Sequence, residues 1–160
     1  ITERFSKIGS IPLLKTTNIV TATQESFHYL ESRSSKLITF EMNAPDETIL
    51  VNLNPELFSW TIENLVKNGI DAMKGEGRIV VSMQSTEALV FIDVSDTGKG
   101  LSKKLFNKIF ETGYTSKKRG WGLGLSLSKR IIEEYHKGKI KVLRSEAKQG
   151  TTLRISLKRL

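Results

Sequence analysis

The chain has no cysteine and only two histidines, His28 and His136, among its 160 residues. Without thiols there are no disulfides and no thiolate metal sites, and two isolated imidazoles fall short of a zinc or iron centre. No apolar run reaches the roughly 18 residues that a membrane-spanning helix needs, and no charged-then-apolar leader opens the sequence. A soluble, cytoplasmic domain is expected, whether or not a longer protein carrying it is anchored in a membrane. Acidic residues are the minority charge: 17 Asp and Glu stand against 25 Lys and Arg, for a formal net charge of +8. That surplus suits an anionic partner, be it nucleic acid, an acidic membrane surface, a nucleotide or an acidic protein. Roughly half of the basic residues fall between Lys99 and Arg144. What is present is enough for a core: 38% of residues are hydrophobic in a chain of single-domain length.

Periodicity supplies the element order. Ile1, Phe5, Ile8, Ile11 and Leu14 are spaced like a helix or its tail until Pro12 interrupts them. Thr21 or Thr23 can cap a helix reaching about Ser34, with Phe27, Leu30 and Tyr29 turned inward. KLITFEM and TILVNLN alternate as strands on either side of the turn-rich NAPDE. Asn54, Pro55 and Glu56 form a strong helix start, and the glycines of KGEG end that helix. RIVVSM and ALVFIDVS read as a hairpin. A glycine-dotted basic loop then runs from Asp96 to Gly124, with one short helical piece near Ser102 to Phe110. A helix from about Gly122 to His136 and a closing strand pair, KIKVLRS and TTLRISL, complete the chain. Paired strands with helices between them predict an α/β (α+β) two-layer sandwich. Its sheet is mixed and mostly antiparallel, of about five or more strands, with about three helices on one face.

One helix is written in unusual letters. In ENLVKNGIDAM, residues 63–73, Ile62, Leu65, Val66, Gly69, Ala72 and Met73 share one side at about 100° per residue, while Asn64, Lys67, Asn68 and Asp71 share the other. Two asparagines and a glycine inside a helix cost about 2 kcal/mol relative to alanine, more than a merely solvated face requires. Three further stretches are equally unusual: SDTGKG at 95–100, IFETGYTSKK at 109–118 and GWGLGLSLSKR at 120–130. Glycines ahead of a helix leave backbone N–H groups bare, so Gly120 to Leu125 is suited to phosphate oxygens, with Lys117, Lys118 and Arg119 beside it. Asp96, an acceptor-only carboxylate ending a strand, can take a hydrogen bond from a ligand amine or hydroxyl. Asn64 and Asn68 offer neutral carbonyl oxygens one turn apart, which a hard cation such as Mg²⁺ accepts alongside phosphates and waters. The parts suit a nucleotide with Mg²⁺. GxxxxGK[ST] is absent, as are the H-R-D and D-F-G elements of serine/threonine kinases, and GWGLGL is not GxGxxG.

These motifs resemble those of the catalytic ATP-binding domain of sensor histidine kinases, within the GHKL group (Bergerat fold) that includes gyrase, Hsp90 and MutL ATPase domains. NLVKNGIDAM resembles the N box, DTGKG the first glycine box, IFETGYTSKK the F box, and GWGLGLSLSKRIIEEYHKGKI the second glycine box with its helix. QGTTLRISL resembles the last strand. The resemblance implies that Asn68 binds Mg²⁺ and that Asn64, Lys67 and Asp71 lie near the phosphates of ATP. It implies that Asp96 accepts from the adenine amino group, with Gly98 and Gly100 letting the ring approach and Thr151 nearby. Residues 101–120 would be a mobile lid; Gly122, Leu123 and Gly124 would cradle phosphates, with Lys117 a further contact. Gly69 stands where the family usually has alanine, and Thr112–Gly113 where it usually has Pro-Phe.

Residues 1–20 resemble the closing part of a dimerisation helix and its linker, leaving 21–160 as the catalytic domain. Neither His28 nor His136 looks like a phosphoacceptor, so the resemblance implies a fragment, monomeric by itself, of a homodimeric kinase whose acceptor histidine lies upstream. The implied partners are that dimerisation domain and a response regulator, not nucleic acid. Two rivals stand beside transfer: a water-activating ATPase of the gyrase or MutL kind, and a non-catalytic binding module. In such ATPases an acidic residue stands four before the metal-binding asparagine. Here that residue is Asn64.

Overall fold

The computed structural model describes residues 11–114 and 124–160. Its elements are β1 (Lys15–Asn18), α1 (Ile19–Arg33), β2 (Ile38–Asn43), β3 (Leu50–Leu53), α2 (Pro55–Ala72), β4 (Gly77–Ser85) and β5 (Leu89–Asp96). Then come α3 (Gly124–Arg130), a π turn (Ile131–Tyr135), β6 (Lys139–Glu146) and β7 (Gly150–Lys158). No helix among the described residues is long and apolar enough to cross a membrane.

The first helix starts earlier than either threonine. Asn18 Oδ1 accepts from Val20 N–H and from Ile49 N–H, both at 3.2 Å, so one side chain caps α1 and ties it to the run before β3. The residues just before that cap form β1, which pairs antiparallel with β3 from Lys15↔Leu53 to Asn18↔Leu50. Lys15 to Val20 are thereby tied to β3 and to the run before it. Phe27 and Leu30 are buried as expected. Tyr29, two residues and about 200° round from Phe27, is 52% exposed, and Arg33 lies over its ring.

The two strand runs of the first half do not pair with each other. β3 goes to β1, while β2 joins β4 in parallel, Phe40 beside Ile79 and Met42 beside Val81. The main sheet has order β2-β4-β5-β7-β6, with every other pairing antiparallel, as the sequence predicts. Its apolar face carries Ile79, Val81 and Met83 of β4, Val90, Ile92 and Val94 of β5, and Leu153, Ile155 and Leu157 of β7. Phe58, Ile62, Leu65 and Val66 of α2 complete the same core. On the opposite face Arg154 grips Asp93 through two hydrogen bonds, at 2.8 and 2.9 Å, and lies over the Phe91 ring.

α2 begins where predicted. Asn54 Oδ1 accepts from Leu57 N–H at 3.0 Å, and Pro55 opens the first turn. The helix runs through Gly69 without a break and ends at Ala72, after which Lys74 (φ 56°) and Gly75 (φ 97°) turn the chain in the left-handed region. The same start is held from the far end of the molecule. His136, 6% exposed, accepts Asn54 N–H on Nε2 at 3.1 Å, while its Nδ1 faces Ile131 O at 2.9 Å. Those roles fix the neutral tautomer with the proton on Nδ1. Burial lowers the His136 pKa, opposed by the bond to Ile131.

A folded-state value below the ordinary 6.5 means that the unfolded chain takes up a proton first. The stability that His136 contributes is complete above that value and is lost as the pH falls toward the folded-state one. We therefore expect His136→Leu to cost about 1–3 kcal/mol at pH 8, because Asn54 N–H is left without its acceptor. Between pH 7 and 5 the variant is expected to lose less stability than the parent in urea titrations.

Candidate functional site

Asp96 is the last residue of β5, opposite Ile79 of β4. Its Oδ1 accepts from Gly98 N–H at 2.8 Å and from Thr151 N–H at 3.4 Å. Its Oδ2 lies under α2: a methyl group built on Gly69 would stand 3.3 Å from that oxygen, 3.1 Å from Asp96 Cβ and 3.0 Å from Ile79 Cδ1. Glycine at 69 is what lets the helix settle onto the carboxylate; an alanine would push the neighbours by a few tenths of an ångström. Burial raises the Asp96 pKa, and the Gly98 and Thr151 amides only partly offset it. A carboxylate held in an unfavourable place, with one oxygen unused by any described donor, is a candidate binding group.

The neighbouring glycines are sites of close backbone approach. A side chain at Gly98 would collide with Ala72 O at 2.6 Å, in the last turn of α2, and one at Gly100 (φ 76°) would strike the Glu146 carbonyl. The space beside both is filled by backbone, because Lys99 N–H bonds Ala72 O (3.1 Å) and Lys148 N–H bonds Lys99 O (2.7 Å). Absence of a side chain there lets chain meet chain. Gly150 completes the arrangement, since any side chain on it would meet Asp96 O. Thr151 donates its N–H to Asp96 and pairs its hydroxyl with Ser145 at 2.8 Å. Ser145 also receives Leu101 N–H at 2.7 Å. No local sequence pattern announces this serine, whose partner Leu101 lies 44 residues away along the chain.

The polar stripe of α2 divides. Lys67 reaches back to Glu63 at 2.9 Å along the helix flank. Asn68 is half-buried with no hydrogen bond to any described residue, and Asp71 is exposed. Asn64 is held: its Nδ2 donates to Ser128 Oγ at 3.0 Å, and its amide lies against Gly124, where a built methyl would stand 2.7 Å from Oδ1. Asn64 and Gly69 are five residues apart, about 7.5 Å along the axis. Along its length α2 thus meets the start of α3 through Asn64 and Asp96 through Gly69, on two different sides of the helix. Lys117, Gly122 and Leu123, with Gly120 and Trp121, lie outside the described residues.

The first part of the expected lid packs against the core. Residues 103–110 form two 3₁₀ turns, Lys103–Leu105 and Lys108–Phe110, in place of one short helix. Ile109 and Phe110 enter the core, and Leu101, Leu105, Phe106 and Tyr114 pack against it. Lys129 of α3 lies over the Phe110 ring.

Among the described residues, no cluster of three or more His, Cys, Asp or Glu could cage a metal. A hard cation here would have to draw on amide oxygens together with a ligand's own oxygens and water. That donor set fits Mg²⁺ carried by a polyphosphate.

Residues 54–160 match the family model described as histidine kinase-, DNA gyrase B- and HSP90-like ATPase. The chain belongs to that family. Within it, the similarities run to the catalytic domains of sensor histidine kinases. Sporulation kinase D of Bacillus subtilis (strain 168) is 34% identical over 112 residues, covering 70% of this chain and 22% of that kinase. The chain spans about a fifth of such a relative's length. Among solved structures, the nucleotide-free catalytic domain of histidine kinase ThkA matches with a TM-score of 0.81 and 26% identity, covering 91% of this chain and 95% of that one. ThkA in complex with the response regulator protein TrrA matches with a TM-score of 0.79 and 24% identity, covering 92% of this chain and 42% of that one.

The strained carboxylate gives a signed prediction. With its folded pKa raised above the ordinary 3.8, Asp96 favours the acid form; that contribution is present below 3.8 and is lost as the pH rises through the folded value. Asp96→Asn keeps an acceptor for Gly98 and Thr151 and removes the buried charge. We expect its melting temperature without nucleotide at pH 7.5 to equal or exceed the parent's, and its advantage to shrink as the pH is lowered toward 4.

Proposed function

We propose that this domain binds Mg²⁺-ATP and passes the γ-phosphoryl to a histidine on a helical dimerisation domain, from which a response regulator aspartate takes it. The observation that carries this reading is the course of α2. The helix lies over Asp96 Oδ2, which no described donor uses, at Gly69 and holds Asn64 against Gly124 about 7.5 Å further along the axis. Asn68 stands between them. Asp96 Oδ2 suits the exocyclic amine of adenine, and Gly98 and Gly100 shape the loop that presents it. Asn68 suits the metal, and Asn64, Lys67 and the second glycine box, with Gly122, Leu123, Gly124 and Lys117, suit the phosphates. Magnesium, when bound, supplies charge neutralisation on the phosphoryl oxygens. The chain's own residues place the nucleotide and keep its terminal phosphate aligned, which is most of what phosphoryl transfer requires. The partners follow from the sensor-kinase relatives and from the ThkA–TrrA complex.

Transfer is favoured over hydrolysis by the residue four before Asn68. A water-activating base is wanted there, and Asn64 is an amide whose nitrogen is already committed to Ser128. Glu63, adjacent in sequence, is drawn to Lys67. His136 is buried and spends both ring nitrogens on backbone.

The test begins with thermal shift. At 100 times its dissociation constant, Mg²⁺-ATP is expected to stabilise the parent by about 2.7 kcal/mol and Asp96→Asn or Asn68→Asp far less. γ-Labelled ATP with a purified dimerisation domain then separates the readings. Label on histidine supports transfer, and release of phosphate alone supports the ATPase. No nucleotide shift in the parent overturns both.

A further inference from the structure

Ser128 is 0% exposed and sits one turn into α3, four residues after Gly124. A serine hydroxyl buried in a helix ordinarily bonds the carbonyl one turn back, and Ser128 Oγ does so, donating to Gly124 O at 2.8 Å. Here it does something more: the same oxygen accepts from Asn64 Nδ2 across the interface, at 3.0 Å. The direction of the chain of bonds is then fixed. Gly124 O can only accept, so the hydroxyl proton goes to it; Ser128 Oγ has only lone pairs left for its second partner, so it demands a donor. An amide turned over would set its oxygen against that oxygen.

We propose that Ser128 is a positioning residue that holds the Asn64 carboxamide in one orientation, nitrogen on Ser128 and oxygen without a donor among the described residues. The α2 stripe then presents two acceptor oxygens, those of Asn64 and Asn68, to the metal-bearing end of a nucleotide. This rests on the reading of the site as one for Mg²⁺-ATP. Gly124 belongs to the same device: without a side chain it lets the amide lie against the first turn of α3, where a methyl would stand 3.0 Å from Nδ2. An oxygen suits a magnesium ion or the protons of its coordinated waters; the amide nitrogen would repel them. Ser128 would thus set metal dependence without touching the ligand.

Three measurements on the intact chain decide it. In the nucleotide-free protein, the Asn64 side-chain NH₂ pair in a ¹H–¹⁵N spectrum is expected to move toward free-amide values in Ser128→Ala. An unmoved pair overturns the proposal. Affinity for ATP with Mg²⁺ is expected to fall about three- to tenfold in Ser128→Ala, with less than a twofold change in EDTA. An equal loss in both media means packing alone and overturns it. In an Asn64→Ala background the further change to Ser128→Ala is expected to have no effect on Mg²⁺-ATP affinity; full additivity overturns it. If the parent binds no ATP, the functional reading fails, and the NH₂ resonances still decide whether Ser128 orients Asn64.

Discussion

Everything at this site depends on how closely one helix can lie against the end of one strand. α2 comes down on the last residue of β5 with only hydrogen atoms between Gly69 and the Asp96 carboxylate, and its final carbonyl is met by the loop that leaves that strand. A conventional helix would put alanine or leucine at such a position, because glycine weakens a helix by about 1 kcal/mol. The weaker helix is accepted because the approach removes water from one carboxylate oxygen and leaves it facing a helix that also bears two amide side chains. The rest of the sheet keeps that geometry rigid: Asp96 continues a strand flanked on both sides by antiparallel partners.

Stability and binding pull against each other at this point. The carboxylate is disfavoured where it is, and only two backbone amides oppose its desolvation. Elsewhere the molecule spends charge more conventionally: Asp93, three residues earlier on the same strand, is fully met by Arg154. The side chains of Asp93 and Asp96 fall on opposite faces of one strand. One carboxylate has its ion partner built in, and the other meets no cation among the described residues.

Much of this was legible in the letters. Asn54-Pro55-Glu56 marks the start of α2 because capping is local chemistry, and alternation marks the strands because burial of one face imposes a period of two. The Asn64, Asn68 and Asp96 positions stand out since each is an expensive choice for its element. Strand partnership was not legible: KLITFEM and TILVNLN look like neighbours, yet one pairs with β4 and the other with β1. β1 itself was hidden because four residues carry too little periodicity to outweigh Pro12 and the apolar spacing before it. The backbone neighbours of Gly98 and Gly100, Ala72 and Glu146, are not legible either, because they lie 26 and 46 residues away in sequence from the glycines they meet. Ser128 escaped notice because a serine in a helix is unremarked until one knows what it faces.

The π turn after α3 sets a phase. Ser128 and His136 both touch α2, one at Asn64 and the other at the backbone of Asn54. In a plain helix, eight residues at about 100° each would leave them about 80° out of line. The wider turn, closed by His136 N–H on Ile131 O five residues back, takes up part of that offset. The last helix is therefore indexed to its neighbour at two stations, like a key with two wards, and the angular error that a regular helix would accumulate between them is absorbed in a single irregular turn.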